Sequence, residues 1–156
     1  MSAGHCRAAR LTDIPVLVAL MSEFYAESGF PLATEPATRA FEMLIANSTL
    51  GTVWLLEADG EPAGYVVLTV CYAMEYGGLR GFVDDLYVRP SFRGRGLGGE
   101  AMAELRRAAA AYGVRALQVE VGPANDGARR LYARSGLVEN GRLLLTLPLA
   151  PAVHEG

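Results

Sequence analysis

The spacing of apolar positions changes along the chain, and each change marks an element. Residues 5–10 (His-Cys-Arg-Ala-Ala-Arg) read as a short first strand. Ile14, Leu17, Val18, Met21 and Tyr25 then recur at helical spacing. Thr12 suits the N-cap of that helix, Pro15 its first turn, and Gly29 and Pro31 end it. A second helix is expected over about 36–47, with Phe41, Leu44 and Ile45 on one face. Residues 53–58 and 63–74 have strand composition, and Asp59-Gly60 between them suits a tight hairpin. Glu75-Tyr76-Gly77-Gly78 turns the chain into a third strand, residues 80–88. A long Ala/Leu/Glu/Arg helix ends at Gly113, a good C-cap residue. Residues 116–121 return to strand, so strand, helix and strand form a crossover that makes 82–88 and 116–121 parallel neighbours. Asn125 starts a last helix through Ala128, Leu131, Tyr132 and Ser135, capped by Gly136. Residues 142–147 read as a final strand and 150–156 as a frayed tail. This is an α+β pattern in a single domain, residues 1–156, with no repeat and no linker.

Composition narrows the class. The chain has 156 residues, 51% hydrophobic and 20% charged, enough for one real core. No apolar run is long enough to cross a bilayer, and residues 1–20 lack a secretory pattern, so the expected location is cytoplasmic. Cys6 and Cys71 are too few for a disulfide scaffold and lack metal-ligand spacing; both read as buried small apolar residues, and no metal is expected. The net charge of −3 argues against nucleic acid as a partner. Its distribution is more informative. Arg80, Arg89, Arg93 and Arg95 gather around one glycine loop, while the carboxylates lie elsewhere. A local basic patch on an acidic protein fits an anionic cofactor and a neutral or cationic second substrate.

That loop sits between a strand and a helix N-terminus and reads Arg93-Gly94-Arg95-Gly96-Leu97-Gly98-Gly99. Glycines allow close backbone approach, and a helix start offers unpaired N–H groups with a partial positive charge. Both suit phosphate or pyrophosphate, with the arginines adding bidentate contacts. Residues 94–99 also match Gly-x-Gly-x-x-Gly, and Glu120 ends the next strand, so a dinucleotide-binding oxidoreductase is one alternative. Against it, that fingerprint opens its domain after the first strand, whereas ~90 residues precede it here. No Lys-Ser/Thr follows the glycines, which excludes a Walker A loop.

A second motif, Asn125-Asp-Gly-Ala128-Arg-Arg-Leu131-Tyr132-Ala-Arg-Ser-Gly136-Leu137, follows the strand 116–121. With Arg93-x-x-Gly96-x-Gly98, it resembles the GNAT superfamily of N-acetyltransferases. Leu137 stands where the family pattern has Phe. The resemblance runs through the whole chain in element order and is strongest from Asp84 to Leu137. It implies an α/β/α layered fold with a mixed, splayed sheet. It implies that residues 93–99 bind the pyrophosphate of acetyl-CoA. The backbone of Leu86, Tyr87 and Val88 would bind the pantetheine arm, and a backbone N–H there would polarise the thioester carbonyl. Asn125 and Ala128 would line the acetyl end, with Tyr132 as general acid toward the departing thiolate. From position alone, Asn125 is also a helix N-cap and Tyr132 a half-buried helix tyrosine.

Asp84 and Asp85 are anomalous in an apolar strand, where adjacent residues are expected on opposite faces. One could pair with Arg80; the other could deprotonate the acceptor amine. The run from Asp84 to Arg93 resembles diamine and polyamine acetyltransferases, which favours Asp84 as the base, with Asp85 and Glu75 as alternatives. The implied reaction is direct acetyl transfer from acetyl-CoA to a small cationic primary amine, neither cysteine falling in a motif. Residues 26–35 are expected near the acceptor site. Many GNAT relatives dimerise, so a homodimer is an expected assembly. A non-catalytic acyl-CoA-binding regulator would keep residues 93–98 without needing Asp84 or Tyr132.

Overall fold

The computed structural model describes residues 4–155. Its centre is a five-stranded sheet in the order β1-β2-β3-β4-β5. The strands are β1 (His5–Ala8), β2 (Gly51–Ala58), β3 (Glu61–Ala73), β4 (Gly78–Val88) and β5 (Ala116–Gln118). The first four pair antiparallel, and β4 pairs parallel with β5. Asp59 and Gly60 make the β2–β3 turn, with φ of 53° and 75°, the left-handed pair a two-residue hairpin requires.

Two helices cover each face. On one lie α1 (Ile14–Glu27) and α2 (Thr34–Ala46). Leu17, Leu20 and Phe41 pack there against Val53, Leu55, Tyr65, Val67 and Tyr87. Pro15 stands in the first turn of α1, where its missing N–H has no intrahelical acceptor to lose. On the other face lie α3 (Leu97–Tyr112) and α4 (Asp126–Arg134). Ala101, Met102, Leu105 and Tyr132 pack there against Trp54, Leu56, Val66, Leu68 and Val83. The result is the α/β/α layering expected. Gly113 ends α3 at φ 80°, a conformation that glycine adopts without the Cβ penalty.

Four expectations about the fold need correction. Residues 142–147 form no strand, and their leucines face solvent. The strand expected over 116–121 pairs only at 116–118. Cys71 is exposed rather than buried, while Cys6 is half-buried, its thiol pushed up to about 12 mainly by burial. The tail read as frayed makes defined contacts. Ala33 N donates to Val153 O at 2.8 Å, and the His154 ring lies 4.7 Å from that of Phe30. Among the described residues, no helix is long and apolar enough to cross a membrane.

Candidate active site

The site begins with an irregularity in β4. Its register with β3 runs Phe82 to Thr69 and Val83 to Leu68, then jumps to Asp85 opposite Val67. Asp84 is thus an extra residue, a β-bulge. Without it, Val83 and Tyr87, four apart, would share a face. They do not: Val83 packs with the α3 side and Tyr87 with the α1 side. The aspartates therefore do not alternate across the sheet. Both carboxylates act electrostatically on Tyr25 and Tyr65, on the α1 side.

Asp85 is the better-held of the two. Tyr65 Oη donates to it at 2.8 Å. Burial pushes its carboxyl up to about 7; the Tyr65 bond opposes this and the Asp84 charge adds to it. Asp84 is exposed by surface area, although protein crowding still raises it. Water screens the charge of an exposed carboxylate, so Asp85 is the more strongly perturbed of the two. Beside Asp85 opens a cavity of about 230 Å³ lined by Phe24, Tyr25, Ser28, Phe30 and His154. It combines aromatic faces with one carboxylate, a lining suited to an organic cation.

Across the sheet, β4 parts from β5 after Phe82 and Gln118. Beyond that point, among the described residues, the β5-facing edge of β4, including Leu86 and Tyr87, has no strand partner. Val88 O is taken by Arg93 Nε at 2.8 Å. Tyr132, on α4, is buried against this opening. Burial and the charge of Asp85 push its phenol up to about 12, so it keeps its proton at neutral pH. Asn125 caps α4, its Oδ1 accepting from Ala128 N at 3.2 Å. That bond fixes the first turn and so the direction of Tyr132 two turns on. Asp85 is thus within electrostatic reach of both the aromatic cavity and Tyr132.

The glycine loop is built by backbone conformation. Gly94 and Gly96 have φ of 77° and 84°, and a Cβ at either, or at Gly99, would meet open space. The α3 ladder begins with Glu100 N donating to Gly96 O at 3.0 Å. The N–H groups of Leu97, Gly98 and Gly99 precede it and have no intrahelical acceptor. Gly98 packs closely on α4, since a Cβ there would lie 3.0 Å from a terminal methyl of Leu131, which would have to shift. This open cradle of donors fits a pyrophosphate.

The arginines do not line the loop as the sequence suggests. Arg89 is turned inward, making three hydrogen bonds to Glu23 and one to Pro62 O. Arg93 pairs with Glu27 at 2.7 Å, and Arg95 is bidentate to Asp59 at 2.8 and 2.9 Å. Arg80 lies at the far end of β4, over the Phe82 ring at 5.3 Å. A phosphate placed at the loop would therefore meet backbone N–H groups first. Arg93 and Arg95 hold exposed carboxylates, pairs weak enough to exchange for a phosphate.

Glu75 is not brought to the aspartates. It lies in the turn between β3 and β4, bidentate to Arg142 at 2.9 and 3.1 Å, which lowers its carboxyl below the usual range. Seven residues of β4 separate that end from Asp85, ~23 Å of extended strand. The residues that sequence reading missed are Tyr65, Phe24 and His154. Tyr65 looked like any strand tyrosine, and nothing local marked its bond to Asp85. The 26–35 connection does reach the cavity, through Ser28 and Phe30. Among the described residues, no three His, Cys, Asp or Glu come together as a metal site would need.

A curated relative, an uncharacterized N-acetyltransferase of Lactobacillus delbrueckii subsp. lactis, is 28% identical over 138 residues, covering 80% of this chain and 79% of its own. The crystal structure of an integron cassette protein from the mobile metagenome of Cole Harbour Salt Marsh is 49% identical. It superposes with a TM-score of 0.89 over 96% of this chain and 93% of that one. A predicted acetyltransferase of Clostridium acetobutylicum, solved with acetyl-CoA, shares the fold at a TM-score of 0.80 and 18% identity, over 92% and 96% of the chains. The model of the acetyltransferase (GNAT) family matches residues 17–137. With the motif at 93–99, the parted strands and the capped α4 already in place, this match covers most of the chain, which belongs to the GNAT acetyltransferase family.

Proposed function

We propose that this protein moves the acetyl group of acetyl-CoA to a small primary amine, by direct attack with both substrates bound. The supporting observation is the position of Asp85: hydrogen-bonded by Tyr65, beside an aromatic cavity, and near a protonated Tyr132. The acceptor enters as an ammonium ion among the aromatic rings. A carboxyl raised to about 7 is ionised above that pH and basic enough to take the ammonium proton. The freed nitrogen attacks the acetyl carbonyl carbon. A backbone N–H on the open edge of β4 holds the carbonyl oxygen as charge develops on it. When the carbon–sulfur bond breaks, Tyr132 donates its proton toward the sulfur. The buried setting that raises the phenol also raises the proton affinity of the leaving thiolate.

In this reading Asp85, rather than Asp84 or Glu75, is the base. Residues 94–99 hold the pyrophosphate through backbone donors, with Arg93 and Arg95 closing on it. Residues 86–88 flank the pantetheine, and Asn125 and Ala128 position Tyr132. The cavity, at about 230 Å³, favours a small amine over an oligosaccharide or a peptide. The test is thiol release from acetyl-CoA with putrescine, spermidine, an aminoglycoside, free amino acids and a lysine peptide. Small amines should turn over fastest. Preference for the peptide would contradict the cavity assignment.

One prediction concerns the loop. Gly96→Val puts a β-branched residue at φ 84° and a side chain where a phosphate must approach. Acetyl-CoA should bind at least ~10-fold more weakly by calorimetry, which is about 1.4 kcal/mol. The far-UV circular dichroism should not change. Unaltered affinity would rule out the loop as the pyrophosphate site.

A further inference from the structure

Residues 152–155 fold back onto the aromatic cavity, and the ties they make fix the direction of one ring. Glu155 N donates to Ala152 O at 2.9 Å, and Ala152 N donates to the Glu155 carboxylate at 3.2 Å. These two bonds close a four-residue turn with Val153 and His154 at its centre. Val153 O accepts from Ala33 N at 2.8 Å, which fastens the turn to the connection between α1 and α2. The Val153 side chain packs against the core that those helices share. His154 is left in the cavity wall. Its ring lies 4.7 Å from that of Phe30 and 6.0 Å from that of Tyr25.

The cavity has an inner and an outer end. At the inner end Asp85 is held by Tyr65, which is fully buried. At the outer end Phe30 is 48% exposed and the His154 side chain 27% exposed. Phe24 and Tyr25 complete the aromatic lining. Aromatic faces attract an ammonium ion and the methylene groups beside it. An ammonium drawn to Asp85 therefore runs its carbon chain past these rings toward His154.

If the cavity holds the acceptor, as in the acetyl transfer proposed for this site, its outer wall limits what enters. On that basis we propose that His154 sets the length of the acceptor amine. Its ring closes the outer end, so a short alkylammonium ion fits between Asp85 and His154, while a longer one meets the imidazole. The reacting nitrogen sits at Asp85, away from His154. His154 is thus a specificity-determining residue, held in place by the turn at 152–155.

The test is calorimetric and needs no acetyl transfer. With coenzyme A present, n-propylammonium and n-hexylammonium are titrated into the wild type, His154→Ala and His154→Trp. The wild type should hold n-propylammonium the more tightly, an order opposite to the hydrophobicity of the two ions. In His154→Ala the ratio of the hexyl Kd to the propyl Kd should fall at least ~10-fold, because the added methylenes then find room against apolar walls. His154→Trp should weaken both ions, the longer one more. A wild type that prefers the longer ion would overturn the inference. So would equal ratios in wild type and His154→Ala, or uniform weakening of both ions by that change, which would make His154 an ordinary packing residue. A wild type that binds neither ion would overturn it together with the acceptor site at Asp85. Length-selective binding without turnover of either amine would uphold the closure by His154 and count against acetyl transfer to these amines.

Discussion

Asp85→Asn should lower kcat/KM for acetyl transfer by about 10³-fold at pH 8, within the range for loss of a general base. The amide keeps the shape and can still accept from Tyr65, so the cavity should persist. It cannot take a proton from the acceptor ammonium. Acetyl-CoA affinity should stay within a few-fold, because Asp85 lines the aromatic cavity and not the glycine loop. The same change should stabilise the fold at pH 8. The folded value of about 7 lies above the unfolded value of ~3.9. A carboxyl raised on folding holds its proton more tightly in the native state. Its ionisation therefore weakens the fold as pH rises from ~4 through 7, and the penalty is absent below ~4. Thermal melting should show the variant melting several degrees above the wild type at pH 8 and level with it at pH 4. Equal melting at both pH values would mean that Asp85 is not desolvated as described. Asp84→Asn, at the exposed bulge, should have much smaller effects on both readouts.

Tyr132→Phe should lower kcat by about 10²-fold while acetyl-CoA binds nearly as before, the pattern expected when a proton donor acts only as the bond breaks. The ring would keep its packing against the α3 face. Thioester donors with more acidic thiols should rescue the variant, since their thiolates leave without a proton. A fall in affinity with kcat unchanged would make Tyr132 a binding residue. Loss of rescue would place the defect before carbon–sulfur cleavage.

Much of this was legible in the sequence because it is local. The crossover from β4 through α3 to β5 follows from periodicity and glycine punctuation. The cap at Asn125 and the loop at 94–99 follow from residue type and position. What was hidden depends on long-range register. The bulge at Asp84 exists only because β4 and β3 fall out of step between Val67 and Leu68. No local signal marks it, and it overturns the alternation that would split the two aspartates. Glu75 looked equivalent to them by charge, but Arg142, distant in sequence, holds it elsewhere. The loop arginines invited a phosphate reading, whereas Glu23, Glu27 and Asp59 come to them from α1 and the β2–β3 turn. The leucine run at 143–149 has a strand-like pattern, yet among the described residues its backbone finds no hydrogen-bond partner and 142–147 form no strand.

The proposed transfer turns on one step, deprotonation of the acceptor amine by Asp85, whose carboxyl burial pushes up to about 7. Its direct test is the pH dependence of kcat/KM for wild type and Asp85→Asn, followed by thiol release from acetyl-CoA with the best small amine. The wild-type rate should rise with pH through an inflection near 7 and then level, and the variant's residual rate should lack that inflection. An identical inflection in both proteins, or a wild type whose rate does not change between pH 6 and 8, would contradict it.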